Sequence, residues 1–123
     1  MTEILLEFPP PAEPLSMNDK DGRETGRAKQ AWRDRAYFGW IAAHPGQGPS
    51  GRAAPCPGEV FVTLPFAMNR RRDPINFART VKAIVDGMVM AGAWPDDTPE
   101  FVTQNIPTLV VGDLPVTIRV VPR

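Results

Sequence analysis

Short apolar runs, several of them alternating with polar residues, predict the strands of this chain. The run "TEILLEF", stopped by three prolines, predicts a first strand over about residues 3 to 8. The run "EVFVTLPF" predicts a second strand with Val60, Val62 and Leu64 on one face. The runs "EFVTQNI" and "PVTIRVV" predict two more, and "PTLVVGDL" between them stays unassigned.

Two longer apolar stripes with helical spacing predict the helices. The proline-free stretch from Arg23 to His44 places four apolar residues one turn apart, and Pro45 ends it. These residues are Ala28, Trp32, Ala36 and Trp40. We expect Trp32, Trp40, Phe77, Met88 and Trp94 to lie in the core or in a dimer interface rather than to stack on bases.

The second predicted helix follows Asp73 and Pro74. An aspartate can cap free N–H groups and proline suits the first turn, although Asn76 is a competing cap. An apolar stripe follows, and Gly92 is the expected stop. The stripe consists of Phe77, Val81, Ile84, Val85 and Met88.

The order strand, helix, strand, helix, strand, strand predicts an α+β fold with two main helices on one small mixed sheet. At 123 residues the chain is expected to form a single domain over 1–123. The proline-rich "PPPAEPLSMNDKDG" is expected to be irregular. Proline and glycine fill eight of the fifteen residues of "HPGQGPSGRAAPCPG", which predicts a flexible loop without regular structure at about 44–58.

Charge and cysteine content narrow the function classes. The charges of fourteen basic and fourteen acidic side chains cancel, so a polyanion would have to bind a local patch of positive charge. The single cysteine, Cys56, gives no sign of an oxidising compartment, and no long apolar run predicts a membrane span or a leader. We therefore expect a cytoplasmic protein without a membrane partner.

Three aspartates near the second helix have two interpretations. In the structural one, Asp73 only caps the helix and the pair Asp96 and Asp97 forms a polar turn, which is the commoner case for isolated aspartates. In the functional one they bind Mg²⁺, which prefers hard oxygen ligands and takes one or two carboxylates beside substrate phosphate. Arg70, Arg71 and Arg72 precede Asp73 directly and could hold a phosphodiester that the aspartates would otherwise repel.

The chain resembles the RusA-like Holliday junction resolvases at three motifs. These are "RRRDPIN", where the family has basic residues before Asp-x-Asp-Asn; "KAIVDGMVMAGAWPDD", similar to its Lys-x3-Asp helix followed by Gly and Asp-Asp; and "PPPAEPLSMN", similar to its proline-rich segment ending in Asn. The resemblance implies a homodimeric endonuclease that cuts four-way DNA junctions with Mg²⁺, or with Mn²⁺ in its place.

The matching positions receive the family's roles as expectations. The resemblance makes Asp73 and Asp97 catalytic aspartates and metal ligands, and Lys82 the catalytic lysine of the helix. In the structural alternative, Lys82 and Asp86, four residues apart, form a simple surface ion pair. Asp86 and Asp96 match further acidic positions and join the expected metal ligands. The expected DNA contacts are Arg70, Arg71, Arg72, Asn76, Arg79, Lys29, Arg33 and Asn18.

Two departures from the family pattern lie close together. Ile75 stands where the family has its second aspartate, and extra residues amounting to nearly one helical turn separate Asn76 from Lys82. The missing ligand would weaken metal binding, shift the role to Asp86 or Asp96, or mark a protein that binds junctions without cutting them. An interaction module unrelated to DNA is a third alternative.

Helix length leads to a prediction about the dimer. One straight helix over residues 74 to 91, rising about 1.5 Å per residue, would separate its ends by roughly 25 Å. Asp73 and Asp97 would then share a metal within one chain only if the segment after Gly92 doubled back. An antiparallel pairing of this helix across a two-fold axis would instead build composite sites, with Asp73 from one subunit and Asp97 from its partner.

Overall fold

The computed structural model describes residues 3–20 and 22–123. Asp21, part of the predicted irregular segment, and Met1 and Thr2 lie outside the described residues. The strands are β1 (Ile4–Phe8), β2 (Gly58–Phe66), β3 (Val102–Gln104), β4 (Thr108–Val111) and β5 (Val116–Pro122). The α-helices are α1 (Arg23–Ala42) and α2 (Ala78–Met90). The predicted α+β class with two helices and one mixed sheet is confirmed, and the unassigned "PTLVVGDL" contains β4.

The sheet is built around β2. On one side β2 pairs antiparallel with β5, which pairs antiparallel with β1. On the other side β2 pairs in parallel with β3 through Gly58–Val60 and with β4 through Thr63–Phe66. Two short strands therefore share one edge of β2 in succession.

Alternation along the strands decides which face of the sheet is covered. Val60, Val62 and Leu64 of β2 are buried as predicted, and so are alternate residues of β5. They belong to the same core cluster as residues of both helices. Trp32, Ala36 and Trp40 of α1 and the apolar stripe of α2 are in this cluster, so the interpretation of these side chains as core is confirmed.

Close approach of the two helices depends on one glycine. A Cβ placed on Gly87 of α2 would lie 2.1 Å from the backbone oxygen of Arg33 of α1. The residue must therefore lack a side chain for α1 and α2 to cross at this separation. The apolar stripe of α2 packs inside its own chain, and the antiparallel pairing of α2 across a two-fold axis stays a prediction.

The predicted start of the second helix is wrong. Pro74–Phe77 form a 3-10 turn, and the α-helix begins only at Ala78. Neither Asp73 nor Asn76 caps α2, and the Asp73 side chain makes no capping hydrogen bond. Burial of Phe77 against Phe66, with ring centroids 5.0 Å apart, accompanies the tighter turn. The predicted stop is confirmed, because α2 ends at Met90 and Gly92 has a φ of 105°.

The proline- and glycine-rich loop contains some regular structure, contrary to the sequence prediction. Pro49–Arg52 form a 3-10 turn, which Pro49 favours by fixing φ at its start. The Arg52 Nε donates a 2.7 Å hydrogen bond to the oxygen of Ala91, and its backbone oxygen accepts one of the same length from the Trp40 indole. These bonds fasten the turn to both helices. Within the described residues, no helix is long and apolar enough to cross a membrane.

Candidate functional site

Lys82 of α2 lies between two carboxylates. Its Nζ is 2.5 Å from the Oδ1 of Asp86, one helical turn further along, and it also donates to the Oδ2 of Asp97. The side chains of Lys82, Asp86 and Asp97 are 53%, 29% and 24% exposed. The three groups thus form a partly exposed ionic cluster, here called the Lys82 cluster, which a ligand from solution can reach.

A reversal of the chain after α2 brings Asp97 to this position. Gly92 takes a left-handed conformation, and the N–H of Ala93 donates to the oxygen of Met88 at 3.0 Å. Trp94 is buried, and its indole N–H donates to the oxygen of Pro55 at 2.9 Å. Because the chain runs back along α2, Asp97 lies beside Lys82 rather than beyond the end of the helix.

The pairing shifts the pKa of both partners. Partial desolvation would lower the pKa of Lys82, but the hydrogen bonds to Asp86 and Asp97 outweigh it and raise the value above 10.5. The hydrogen bond from Lys82 lowers the pKa of Asp97 below 3.8 against a smaller opposing effect of burial. Both groups are therefore charged across the neutral range.

The other expected metal ligands are placed differently. Asp96 is exposed, and its Oδ1 accepts a 2.7 Å hydrogen bond from the backbone N–H of Asp97, so it fixes the turn that presents Asp97. Asp73 is also exposed, and its backbone oxygen accepts the N–H of Asn76 at 3.0 Å. No hydrogen bond or ion pair joins Asp73 to the Lys82 cluster in the described part of the chain.

The donor set of the Lys82 cluster suits Mg²⁺ in its chemistry. Two carboxylates converge on one cation, and hard oxygen atoms are the ligands that Mg²⁺ prefers. Residues 3–20 and 22–123 contain no group of three or more His, Cys, Asp or Glu side chains arranged for a metal. Asp86 and Asp97 could hold one ion, with water and substrate completing its shell, only after the Lys82 ammonium moves aside.

The three arginines are not equivalent. Arg70 and Arg71 are exposed, whereas the Arg72 guanidinium lies over the Phe66 ring, 4.0 Å from its centroid. The Nη1 of Arg72 donates to the oxygen of Met68 at 2.9 Å and to that of Arg70 at 3.3 Å. Arg72 thus shapes the segment that carries the other two, a role that the run of identical letters did not reveal.

The proline-rich segment meets the start of α2. The N–H of Met17 donates to the oxygen of Asn76 at 2.7 Å, and Arg79 donates to the oxygen of Asp19 at 3.2 Å. Asn18, Asn76 and Arg79 are therefore brought into one region although their motifs are far apart in the sequence. Thr80 was not predicted as a site residue, but it is buried and its hydroxyl donates to the oxygen of Leu15 at 2.9 Å. A threonine inside the apolar stripe of α2 was its only signal.

The two basic residues predicted on α1 are half-buried. Arg33 donates to the Oε1 of Gln30 at 3.1 Å, and its Nε is buried without a hydrogen-bond partner among the described residues. Lys29, one turn earlier, is also only partly exposed. Their part in DNA binding stays a prediction.

Comparison with known proteins found neither a matching family model nor a significantly similar curated protein.

Proposed function

We propose that this protein is a magnesium-dependent endonuclease that cuts four-way DNA junctions, as its resemblance to RusA-like resolvases implies, and that it acts in the cytoplasm. The observation that carries the proposal is the Lys82 cluster. The lysine and the late aspartate of the resembling motif, fifteen residues apart in sequence, are in direct contact, and a further acidic residue of that motif joins them.

Each residue has a separate task in the proposed reaction. Asp86 and Asp97 would hold the metal ion. Asp73 is proposed to become a further ligand once the DNA is bound. When bound, Mg²⁺ polarises the phosphoryl oxygen and favours attack by water. Lys82, released from the carboxylates, neutralises charge that develops on the phosphate, and Arg70 and Arg71 hold the neighbouring backbone.

A homodimer is proposed because two strands must be nicked symmetrically. The separation of Asp73 and Asp97 by one straight helix is no longer a reason for composite sites, since the chain doubles back after Gly92. Composite sites are tested by mixing Asp73→Asn and Asp97→Asn proteins. Recovered cleavage after subunit exchange would show that one subunit supplies Asp73 and its partner Asp97, whereas no recovery would reject sharing.

The central experiment uses a labelled synthetic four-way junction with and without Mg²⁺. We expect paired nicks from the wild-type protein and a loss on the order of 100-fold or more in Asp97→Asn. Asp113→Asn, an exposed aspartate outside the cluster, is the matched control and should retain the wild-type rate. Equal rates for the two variants would reject the role of Asp97.

A non-catalytic junction-binding protein is the second candidate, and one observation favours it. Ile75, which replaces the family's second aspartate, is 51% exposed at the turn before α2 and cannot supply a metal ligand there. Binding of the junction at low salt without nicks at any Mg²⁺ concentration would support this candidate. Failure to bind would reject both and favour an interaction module unrelated to DNA.

A further inference from the structure

A cleft of about 660 Å³ opens between the proline-rich segment, the first turns of α1 and the three arginines at 70–72. It does not include the Lys82 cluster. Its lining residues include Glu13, Glu24, Ala28, Arg70, Arg71 and Arg72. The cleft is large enough for a planar base with its sugar and phosphate.

The wall formed by the proline-rich segment is fixed from two sides. The indole of Trp32 on α1 donates to the oxygen of Glu13 at 3.3 Å. The hydroxyl of Thr80 on α2 donates to the oxygen of Leu15, and Met17 is hydrogen-bonded to Asn76 just before α2. The wall is therefore in place before a ligand arrives, which lowers the entropic cost of binding.

One wall of the cleft carries a guanidinium group whose plane is fixed. Arg72 lies on the Phe66 ring, and its two backbone hydrogen bonds stop the group from rotating. The face of the guanidinium that turns away from Phe66 can stack on a second flat group. Arginine planes bind unpaired bases in this way.

Charges around the cleft suit the other parts of a nucleotide. Arg70 and Arg71 are exposed at one side and can bind phosphate, which has the charge and geometry that guanidinium groups prefer. Glu13 and Glu24 line other parts of the same cleft and can accept hydrogen bonds from exocyclic amino groups of a base. A duplex is far too wide for this space, but one extruded nucleotide fits.

We infer that the cleft binds a single unpaired nucleotide of branched DNA, stacking its base on Arg72 and holding its phosphate with Arg70 and Arg71. The inference rests on the proposed function, because a branch point supplies nucleotides that can leave the base stack at little cost. Binding there would hold the branch in a fixed position relative to the Lys82 cluster.

The test uses four-way junctions that carry 2-aminopurine at one branch-point position at a time, without Mg²⁺, so that cleavage plays no part. We expect a severalfold rise in fluorescence at one position when the wild-type protein binds, since the base leaves the stack. Ala28→Leu fills the cleft, and Arg72→Lys keeps the charge but removes the plane. Both should lose the rise at protein concentrations that saturate the junction. Ala42→Leu and Arg27→Lys are the matched controls on exposed positions of α1 and should keep it.

The outcomes separate this inference from the proposed function. Junction binding with no fluorescence rise, or with a rise that survives Ala28→Leu and Arg72→Lys, would overturn the inference alone. Absence of junction binding would overturn both this inference and the proposed function. Titration with deoxyadenosine monophosphate then distinguishes the source of the ligand: binding that Ala28→Leu abolishes, without any branch-point signal, would assign the cleft to a free nucleotide instead.

Discussion

Lys82 and Asp97 form an ion pair across the reversal of the chain that follows α2. Trp94 lies inside this reversal and is buried, so the position of Asp97 depends on core packing as well as on charge. The Lys82 cluster therefore has its geometry before any ligand binds. This relationship leads to predictions for stability, metal affinity and activity.

The stability contribution of the Lys82 cluster should depend on pH at both extremes. The lowered pKa of Asp97 makes its contribution present above 3.8, and protonation removes it as the pH falls through the folded-state value. The raised pKa of Lys82 makes its contribution present below 10.5, and deprotonation removes it as the pH rises through the folded-state value.

Denaturant unfolding of wild type and Lys82→Gln should thus differ by a constant amount, below about 1 kcal/mol, through the neutral range. Lys20→Gln, an exposed lysine outside the cluster, should show no such pH dependence, and an equal profile for both variants would contradict the prediction.

Replacing Lys82 should strengthen metal binding while it weakens cleavage. The ammonium group competes for the carboxylates of Asp86 and Asp97, so Lys82→Met should bind Mn²⁺ more tightly by on the order of tenfold, about 1.4 kcal/mol. Electron paramagnetic resonance of Mn²⁺ measures this without DNA, and Lys20→Met serves as the control. Unchanged or weaker Mn²⁺ binding in Lys82→Met would show that the ion does not use this cluster.

An aspartate at position 75 should improve the proposed enzyme. Ile75 is half exposed, so Ile75→Asp buries no charge and should fold normally. A further carboxylate beside Asp73 should raise the cleavage rate at low Mg²⁺ by on the order of tenfold. The junction assay checks this against Ile75→Asn and against Ile106→Asp, which places the same charge at a similarly exposed isoleucine. A similar gain in all three variants would mean that metal binding is not the cause.

The crossing of the two helices should respond to glycine substitution in a position-specific way. Gly87→Ala forces a Cβ against the backbone of Arg33 and should lower the free energy of unfolding by about 1–3 kcal/mol. Gly26→Ala on α1 meets no atom within 4 Å and should raise it by up to about 1 kcal/mol through better helix propensity. Thermal denaturation of both variants measures the difference. Similar values for both would contradict the close approach at Gly87.

Local patterns predicted the elements of the fold better than they predicted the site. Alternation in β2 and helical spacing in α1 depend on neighbouring residues, so Val60 and Trp32 could be placed in the core from the sequence. The start at Asp73 was predicted wrongly, because Pro74–Phe77 form a 3-10 turn in which Phe77 packs on Phe66. A contact between a strand and the turn before a helix leaves no signal in the pattern of either segment.

The same limit applies to the site residues. Gly92 marked the end of α2, but burial of Trp94 decides where the chain goes next, and so the pairing of Asp97 with Lys82 was not predicted. Arg72 looked like its two neighbours until its stacking on Phe66 was visible. Tertiary contacts thus distinguish Arg72 from Arg70 and Arg71, which are identical residues in the sequence.

The attachment of the proline-rich segment to α2 has a consequence for folding. The hydrogen bonds from Arg79 to Asp19 and from Thr80 to Leu15 join residues 60 and 65 positions apart. Closing loops of this length is entropically costly. Such contacts form only when other native contacts offset that cost. A fragment that contains either segment alone cannot build the cleft. Ligand binding there would therefore report cooperative folding of the whole domain, and nucleotide affinity should disappear together with global structure during unfolding.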